Sequence, residues 1–575
     1  MIRKIREERL SFMKYEIVIH TPEKNIPVCA YENPENSIVS GFEIQAKRSR
    51  IGKYEWVEMT VSSKEEREVY LSLAGEGDAK FASFNGICRD ERVFRQSPHD
   101  PGRYHFKMQK SAVPMVAVLQ GEDAEIFISD NPSCFDNATT QHILPDEKRF
   151  FLSSGDPGGT PNYEESDPFD PIYHRICGEK THTFRFIAFK AKVKGLKGLR
   201  REAFLAIEKV WGSGSDSPYR AMCFASNYMH IRKNETGNSD RWVVAGIEYS
   251  NAQYFRDSFY QTMILDEETQ AQSYQALSYE FKDAENPLVY MIWSYRIFKN
   301  GKSINRQKMD IAFETVLTGM DKFEPNDSYY PNSKENGDFR CWFDTCAFAP
   351  DDADLYNQGL LVCALEASKR LGYDIGDRKE RALKKYHALF NGAFFPLSEQ
   401  KQCMALDFTV GEVIYYLMFN ELFVDQDMFE KTYRRICDGP AKTKYGVKII
   451  AAADGSYPPL DIFNYNGYLY EGLKTLDVGR YHFGGSWHLY EMLFHIAGHL
   501  HGMKDAEKNM TERLMIDLDY NGTTNEYMHT VTGVGVKANQ GWNASVWAIW
   551  NELIKRGRAT DAYFKAADAK IASIE

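Results

Sequence analysis

The chain has 575 residues, with 70 Lys+Arg against 81 Asp+Glu and a formal net charge of −11 at pH 7. Charged residues make up 26% of it, close to the roughly 25% of ordinary globular proteins. That excludes a disordered chain, and the acidic balance excludes broad phosphate-backbone binding, which needs clustered Lys and Arg, so no nucleic-acid partner is expected.

The aromatic share is 14%, from 36 Phe, 34 Tyr and 9 Trp. Such a surplus suits a large core, or a site that grips a polar ligand having apolar faces. The opening residues MIRKIREERLSFMKYEIVIH are charged and lack the roughly 7–15-residue apolar core of a signal peptide. No window approaches the about 18 apolar residues of a membrane span. The 10 cysteines are scattered, without a C-x-x-C pair, which is the pattern of reduced thiols rather than of a disulfide framework. These features predict a cytoplasmic protein with no membrane partner.

In chain order, residues 1–193 form an N-terminal domain of short β-branched or alternating runs: YEIVIH (15–20), VPMVAVLQ (113–120), AEIFIS (124–129) and THTFRFIAFKAKV (181–193). Turn residues separate them, a rhythm that predicts an antiparallel β-sandwich. Residues 194–218 follow as an amphipathic helix, KGLKGLRREAFLAIEKVW, and the linker GSGSDSP. From 219 to 575 the spacing is helical, most clearly at 353–372, 410–423, 488–502 and 543–557, with one hairpin expected at 445–458. A large all-α second domain is the consequence.

Four loop segments of that domain carry chemistry-bearing residues: YFRDSFYQTMIL (254–265), NGDFRCWFDTCAFAPDDADLYNQG (336–359), GRYHFGGSWHLYE (479–491) and TTNEYMHTVTGVGVKANQGWNASVW (523–547). Taken singly, each has a plain structural reading. Asp257, Asp351 and Asp352 suit helix caps, Trp487 and Trp542 suit a core, and Glu526 is a loop carboxylate. Taken together, Asp344 and Glu526 are two carboxyl groups among aromatics and glycines, where exclusion of water raises a pKa and keeps one acid protonated. Glycosidic hydrolysis requires one such acid and one carboxylate base. His495 and His499 are four apart, as in helical zinc sites, yet H-I-A-G-H lacks the Glu of H-E-x-x-H; no metal and no cofactor are expected.

These segments resemble those of the six-hairpin, (α/α)6-barrel glycoside hydrolases, nearest to the inverting enzymes of family 63 and of family 37, the trehalases. FRDSFYQTMIL resembles the trehalase segment whose Asp holds sugar hydroxyls, a role that falls on Asp257, with Arg256 beside it. CWFDTCAF resembles the general-acid segment, which implies Asp344 as the acid, with Asp352 and Asp354 as rivals. NEYMHTVTGVGVKANQGWNASVW resembles the C-terminal segment of both families, which implies Glu526 as the base. GGSWHLYE matches a Gly/Trp-rich loop lining the sugar site. The resemblance thus implies an (α/α)6 toroid after the sandwich. It also implies a sugar pocket formed by Arg256, Asp257, Trp342, Asp352, Asp354 and Gln358, together with Trp487, His488, Gln540 and Trp542. The expected activity is inverting, exo-acting hydrolysis of a carbohydrate by a monomer or small homo-oligomer. The alternatives are a polysaccharide lyase or sugar epimerase on a similar toroid, using Tyr481, His482, His488 or His529, and a non-catalytic carbohydrate-binding protein.

Overall fold

The computed structural model describes residues 13–30, 36–83, 86–87, 109–110, 115–129, 140–144, 148–155, 173–211, 231–233, 241–243, 254–265, 267–277, 284–321, 342–343, 345–346, 348–349, 352–463, 478–521, 524–538 and 540–555. The protein is mixed: antiparallel sheets precede a long helical region.

Strands between Lys14 and Lys192 form a seven-stranded and an eight-stranded sheet. In the first, Arg67–Glu76 lies between Lys14–His20 and Arg149–Ser153. Ile17 and Ile19 pair with Leu73 and Leu71. Those four share one buried apolar cluster with Phe150 and Leu152, and with Val57, Met59, Val116, Phe127, Phe184 and Phe186 of the second sheet. The alternate residues of the second sheet, including Ile126, Ile128, Ile187 and Phe189, join another cluster with Leu199, Ala203 and Ala206 of helix α1 (Gly195–Trp211). Both faces of the strand His182–Lys192 are therefore covered. That is why Phe186–Phe189 are four consecutive buried apolar residues, while Thr183, Arg185 and Lys190 keep the alternation on either side.

Beyond α1 come α2 (Phe255–Thr262), α3 (Glu267–Gln275), α4 (Glu285–Lys299), α5 (Arg306–Asp321), α6 (Leu355–Arg370), α7 (Arg378–Ala388), α8 (Thr409–Phe419), α9 (Gln426–Cys437), α10 (His488–Leu500), α11 (Ala506–Asn521) and α12 (Gly541–Ala548). The even-numbered helices close a ring: α2 packs on α4, α4 on α6, α6 on α8, α8 on α10, α10 on α12, and α12 returns to α2. Helices α5, α7 and α11 pack on α4, α6 and α10 respectively. Sequence explains the division. Helix α6, LYNQGLLVCALEASKR, is buried from Leu355 to Ser368, and a helix apolar on every side belongs inside. Helix α9, QDMFEKTYRRIC, buries one stripe of Phe429, Thr432, Tyr433, Ile436 and Cys437. Where α6 crosses α8, a Cβ on Gly411 would lie 2.5 Å from the Gly359 backbone carbon, so the crossing requires glycine. Among the described residues no helix is long and apolar enough to cross a membrane.

Three local expectations are corrected. Helix α8 stops at Phe419, four residues early, because Asn420 turns left-handed at φ 60°. The buried Glu412 carboxylate then accepts hydrogen bonds from the Phe423 and Val424 amides, at 3.0 and 3.1 Å. Residues 445–458 do not make one hairpin: Gly446–Val447 pairs with Lys442–Thr443, while Ile450–Ala451 pairs with Met404–Ala405. The apolar pair Ile449–Ile450 is buried, drawn to a distant partner rather than to the adjacent turn. At the start of α6, Asp354 itself is the cap, accepting from the Asn357 amide at 2.8 Å.

Candidate active site at the helix N-termini

The ring presents the first turns of its six helices to one set of buried residues. Arg256 and Asp257 lie in the first turn of α2, and Glu285 opens α4. Asp354 and Tyr356 begin α6, and Asp407 sits in the short turn Leu406–Phe408 that runs into α8. Trp487 and Tyr490 begin α10, and Gln540 and Trp542 begin α12. Helix N-termini carry partial positive charge, so this end of the ring favours carboxylates. Glu526 arrives on the strand Asn525–Met528, whose Tyr527 pairs with Trp487. Asp257, Glu526, Gln540 and Trp542 are all buried.

Direct contacts link these side chains. Arg256 Nη1 donates to Glu285 Oε1 at 2.6 Å, and the guanidinium lies 5.2 Å from the centre of the Trp542 ring. Gln540 Nε2 donates to Asp257 Oδ1 at 3.2 Å. The Trp542 ring stands 6.4 Å from Trp487 and 6.0 Å from Tyr490. Trp342 stacks on Tyr490 at 3.7 Å and meets Trp487 edge-on at 5.1 Å. Its indole N–H reaches Asp407 Oδ2 at 3.0 Å.

Burial raises the Asp257 carboxyl to about 7, with the neighbouring Glu526 and Glu285 charges adding to it and Arg256 opposing. Asp407 is pushed up to about 8 by burial, against the Trp342 hydrogen bond and with help from Asp354. Burial, with the charge of Arg256, holds His482 well below the usual histidine range. Burial thus moves two carboxyl groups up toward neutrality and keeps an imidazole neutral, which places hydrogen-bond donors beside acceptors.

Not every residue singled out in the sequence lies in this contact network. Asp344 is outside the described residues. Asp352 is held by the segment that follows α7: Ser398 Oγ donates to Oδ2 at 2.7 Å and the Gln400 amide to Oδ1 at 2.9 Å. Gln358 donates to the Ala382 carbonyl at 2.9 Å, and His488 bonds through Nδ1 to Asp517. Asp257 occupies the third position of α2, whose N-cap is Tyr254. His495 bonds to the Tyr433 hydroxyl at 3.1 Å, and His499 lies 3.5 Å from Glu507. Four members of the site escaped the sequence reading: Glu285, Tyr356, Asp407 and Tyr490. Each stands at the head of an apolar run, where an acid or an aromatic is ordinarily a cap or a core residue. The available signal was positional, in that every inner helix begins with a polar or aromatic side chain.

No protein-family model matches the chain, and no curated protein does. Solved structures do match. One is the GH63 mannosylglycerate hydrolase from Thermus thermophilus in complex with Tris, at 12% identity and TM-score 0.40, covering 58% of this chain and 100% of that one. The same enzyme in complex with glucose matches at 14% identity and TM-score 0.27, over 35% of this chain and 45% of that one. The match therefore spans less than half the length of the glucose-bound chain. A wild-type glycosidase matches at 10% identity and TM-score 0.38, covering 58% and 95%. Likeness this distant assigns no residue and no substrate.

Proposed function

We propose that the protein is an inverting, exo-acting glycoside hydrolase that releases a monosaccharide from an oligosaccharide or glycoside. The observation that carries this reading is that Glu526 is buried on a strand paired with that of Trp487 and its charge raises the carboxyl of Asp257, which accepts a hydrogen bond from Gln540. A buried carboxylate near a second, protonatable one suits the deprotonation of water at a sugar carbon. The two sheets of 1–193 are read as a β-sandwich, 194–218 as the connection, and 219–575 as an (α/α)6 toroid whose inner helices are the closed ring.

In the proposed reaction Asp344 gives its proton to the glycosidic oxygen as the C1–O bond breaks. Glu526 takes a proton from the water that forms the new C1–O bond on the opposite face, the division of labour that inversion requires. Asp352 and Asp354 are rival acids, but both have oxygens already engaged, Asp354 by the Asn357 amide and Asp352 by Ser398 and Gln400, which favours Asp344. Arg256, Asp257 and Gln540 bind hydroxyls of the glycone. Trp342, Trp487 and Trp542 pack against its apolar faces, and the partner of the site is a carbohydrate.

The test is a panel of aryl glycosides and natural disaccharides. At least one is expected to be hydrolysed. Asp344→Asn should lower kcat by about 10²–10⁴-fold on a natural glycoside, the span typical of a lost general acid, and by much less on an aryl glycoside whose leaving group needs no proton. No hydrolysis across the panel, or full activity of Asp344→Asn on the natural glycoside, would overturn the proposal. An unsaturated product would point to a lyase instead.

A further inference from the structure

Glu526 sits on a strand of four residues, Asn525–Met528. That strand is the middle one of three, pairing with Gly535–Ala538 on one side and with Ser486–Trp487 on the other, Ser486 opposite Met528 and Trp487 opposite Tyr527. Under this pair lies Arg513 of α11, fully buried. Its Nε is 3.0 Å from Glu491 Oε2 and its Nη1 is 3.2 Å from Asp517 Oδ1. Nη2 donates to the Ser486 carbonyl at 3.3 Å.

Each carboxylate in turn grips one strand of the pair. The Ser486 hydroxyl donates to Glu491 Oε2 at 2.7 Å. The Asn525 side-chain amide donates to Asp517 Oδ1 at 3.0 Å. Asp517 also holds His488 through its Nδ1. Burial alone would raise the Asp517 carboxyl, but Arg513 and His488 outweigh it and hold it below the usual range. For Glu491 burial wins over Arg513, and its carboxyl is raised. One guanidinium thus joins two carboxylates that tie down the two strands carrying Trp487 and Glu526.

A buried cluster of this kind is a poor device for stability, because desolvating the charges offsets most of their attraction. What it supplies is a fixed geometry: every tie runs to a strand residue adjacent to a site residue. We infer that Arg513 is a positioning residue which, through Asp517 and Glu491, locks the strand pair presenting Glu526 and Trp487. The inference rests on the base role proposed for Glu526.

Asn525→Ala removes the tie between Asp517 and the base-bearing strand while leaving every charge in place; Ser486→Ala does the same for the partner strand. With the aryl glycoside that the wild-type enzyme turns over, Asn525→Ala is expected to lower kcat at least tenfold with KM within twofold. Amide exchange at Glu526, Tyr527 and Met528 should quicken at least tenfold while the far-ultraviolet spectrum is unchanged. Ser486→Ala should do both to a smaller degree, and it serves alone if Asn525→Ala fails to fold. Glu526→Gln is assayed alongside. If Glu526→Gln is inactive while the tie variants keep wild-type kcat, or if their strand amides exchange at the wild-type rate, the positioning role is overturned and the base role stands. If Glu526→Gln retains full activity, the base role falls and the catalytic part of this inference falls with it.

Discussion

Glutamine at position 526 is expected to lower kcat by about 10³-fold, within the 10²–10⁴ that a positioned general base contributes, and to leave KM within a few-fold. Glutamine has nearly the shape of glutamate, so the strand Asn525–Met528 and its pairing with Ser486–Trp487 are retained while the proton acceptor is lost. A 10³-fold loss corresponds to about 4 kcal/mol of transition-state stabilisation. The same change removes a negative charge that raises Asp257, so Asp257 should titrate lower in the variant. Steady-state rates on the substrate found in the glycoside panel, with circular dichroism to confirm folding, check this directly. A rate within tenfold of wild type in a folded variant would remove Glu526 from the base role.

Asp257→Asn is expected to make the protein less active and, at alkaline pH, more stable. Burial and two neighbouring acids hold the Asp257 carboxyl at about 7 in the folded protein, against about 3.9 in an unfolded chain. Between those values the native state keeps a proton that the unfolded chain has released. Stability therefore falls as pH rises from about 4 to about 7, and the loss is complete above that range. A shift of about three units corresponds to about 4 kcal/mol. Asparagine does not titrate, and its carbonyl can still accept the bond from Gln540 Nε2. The variant should gain up to about 4 kcal/mol over wild type at pH 8.5, with the gain vanishing toward pH 4. Urea unfolding at pH 5 and pH 8.5 measures both ends. A variant less stable than wild type at pH 8.5 would contradict the assignment, and undiminished hydrolysis would exclude Asp257 from the sugar site. Such an exchange of stability for function is what a site built on a buried acid entails.

How much of this was legible in the sequence varied with how local its cause is. Strands such as Asp123–Ser129 and His182–Lys192 were visible as apolar runs between turn residues. Helix α6 was visible as a long apolar run that ends at Gly372, which stands at φ 92° just beyond it, although its cap is Asp354 and not Asp351 or Asp352. The end of α8 was not, because it depends on Glu412 reaching across to Phe423 and Val424, a bond that no periodicity records. The same holds for the site. Asp257, Glu526, Gln540 and Trp542 stood out as polar and aromatic residues in loops opening helices. Asp407 did not, since MALDFTVGE looks like an ordinary helix start until the Trp342 indole is seen to bond to it from 65 residues away. Arg513 is further from legibility: it lies in a helix, and only the fold brings it beneath Ser486, Glu491 and Asp517.

The central claim is that water, activated by Glu526, attacks the sugar from the face opposite the leaving group. Proton NMR of the sugar first released from a glycoside of known configuration tests it most directly. The earliest anomeric signal is expected to belong to the configuration opposite to the substrate's, with the other anomer appearing only as mutarotation proceeds. A first-formed sugar with the substrate's own configuration would contradict it.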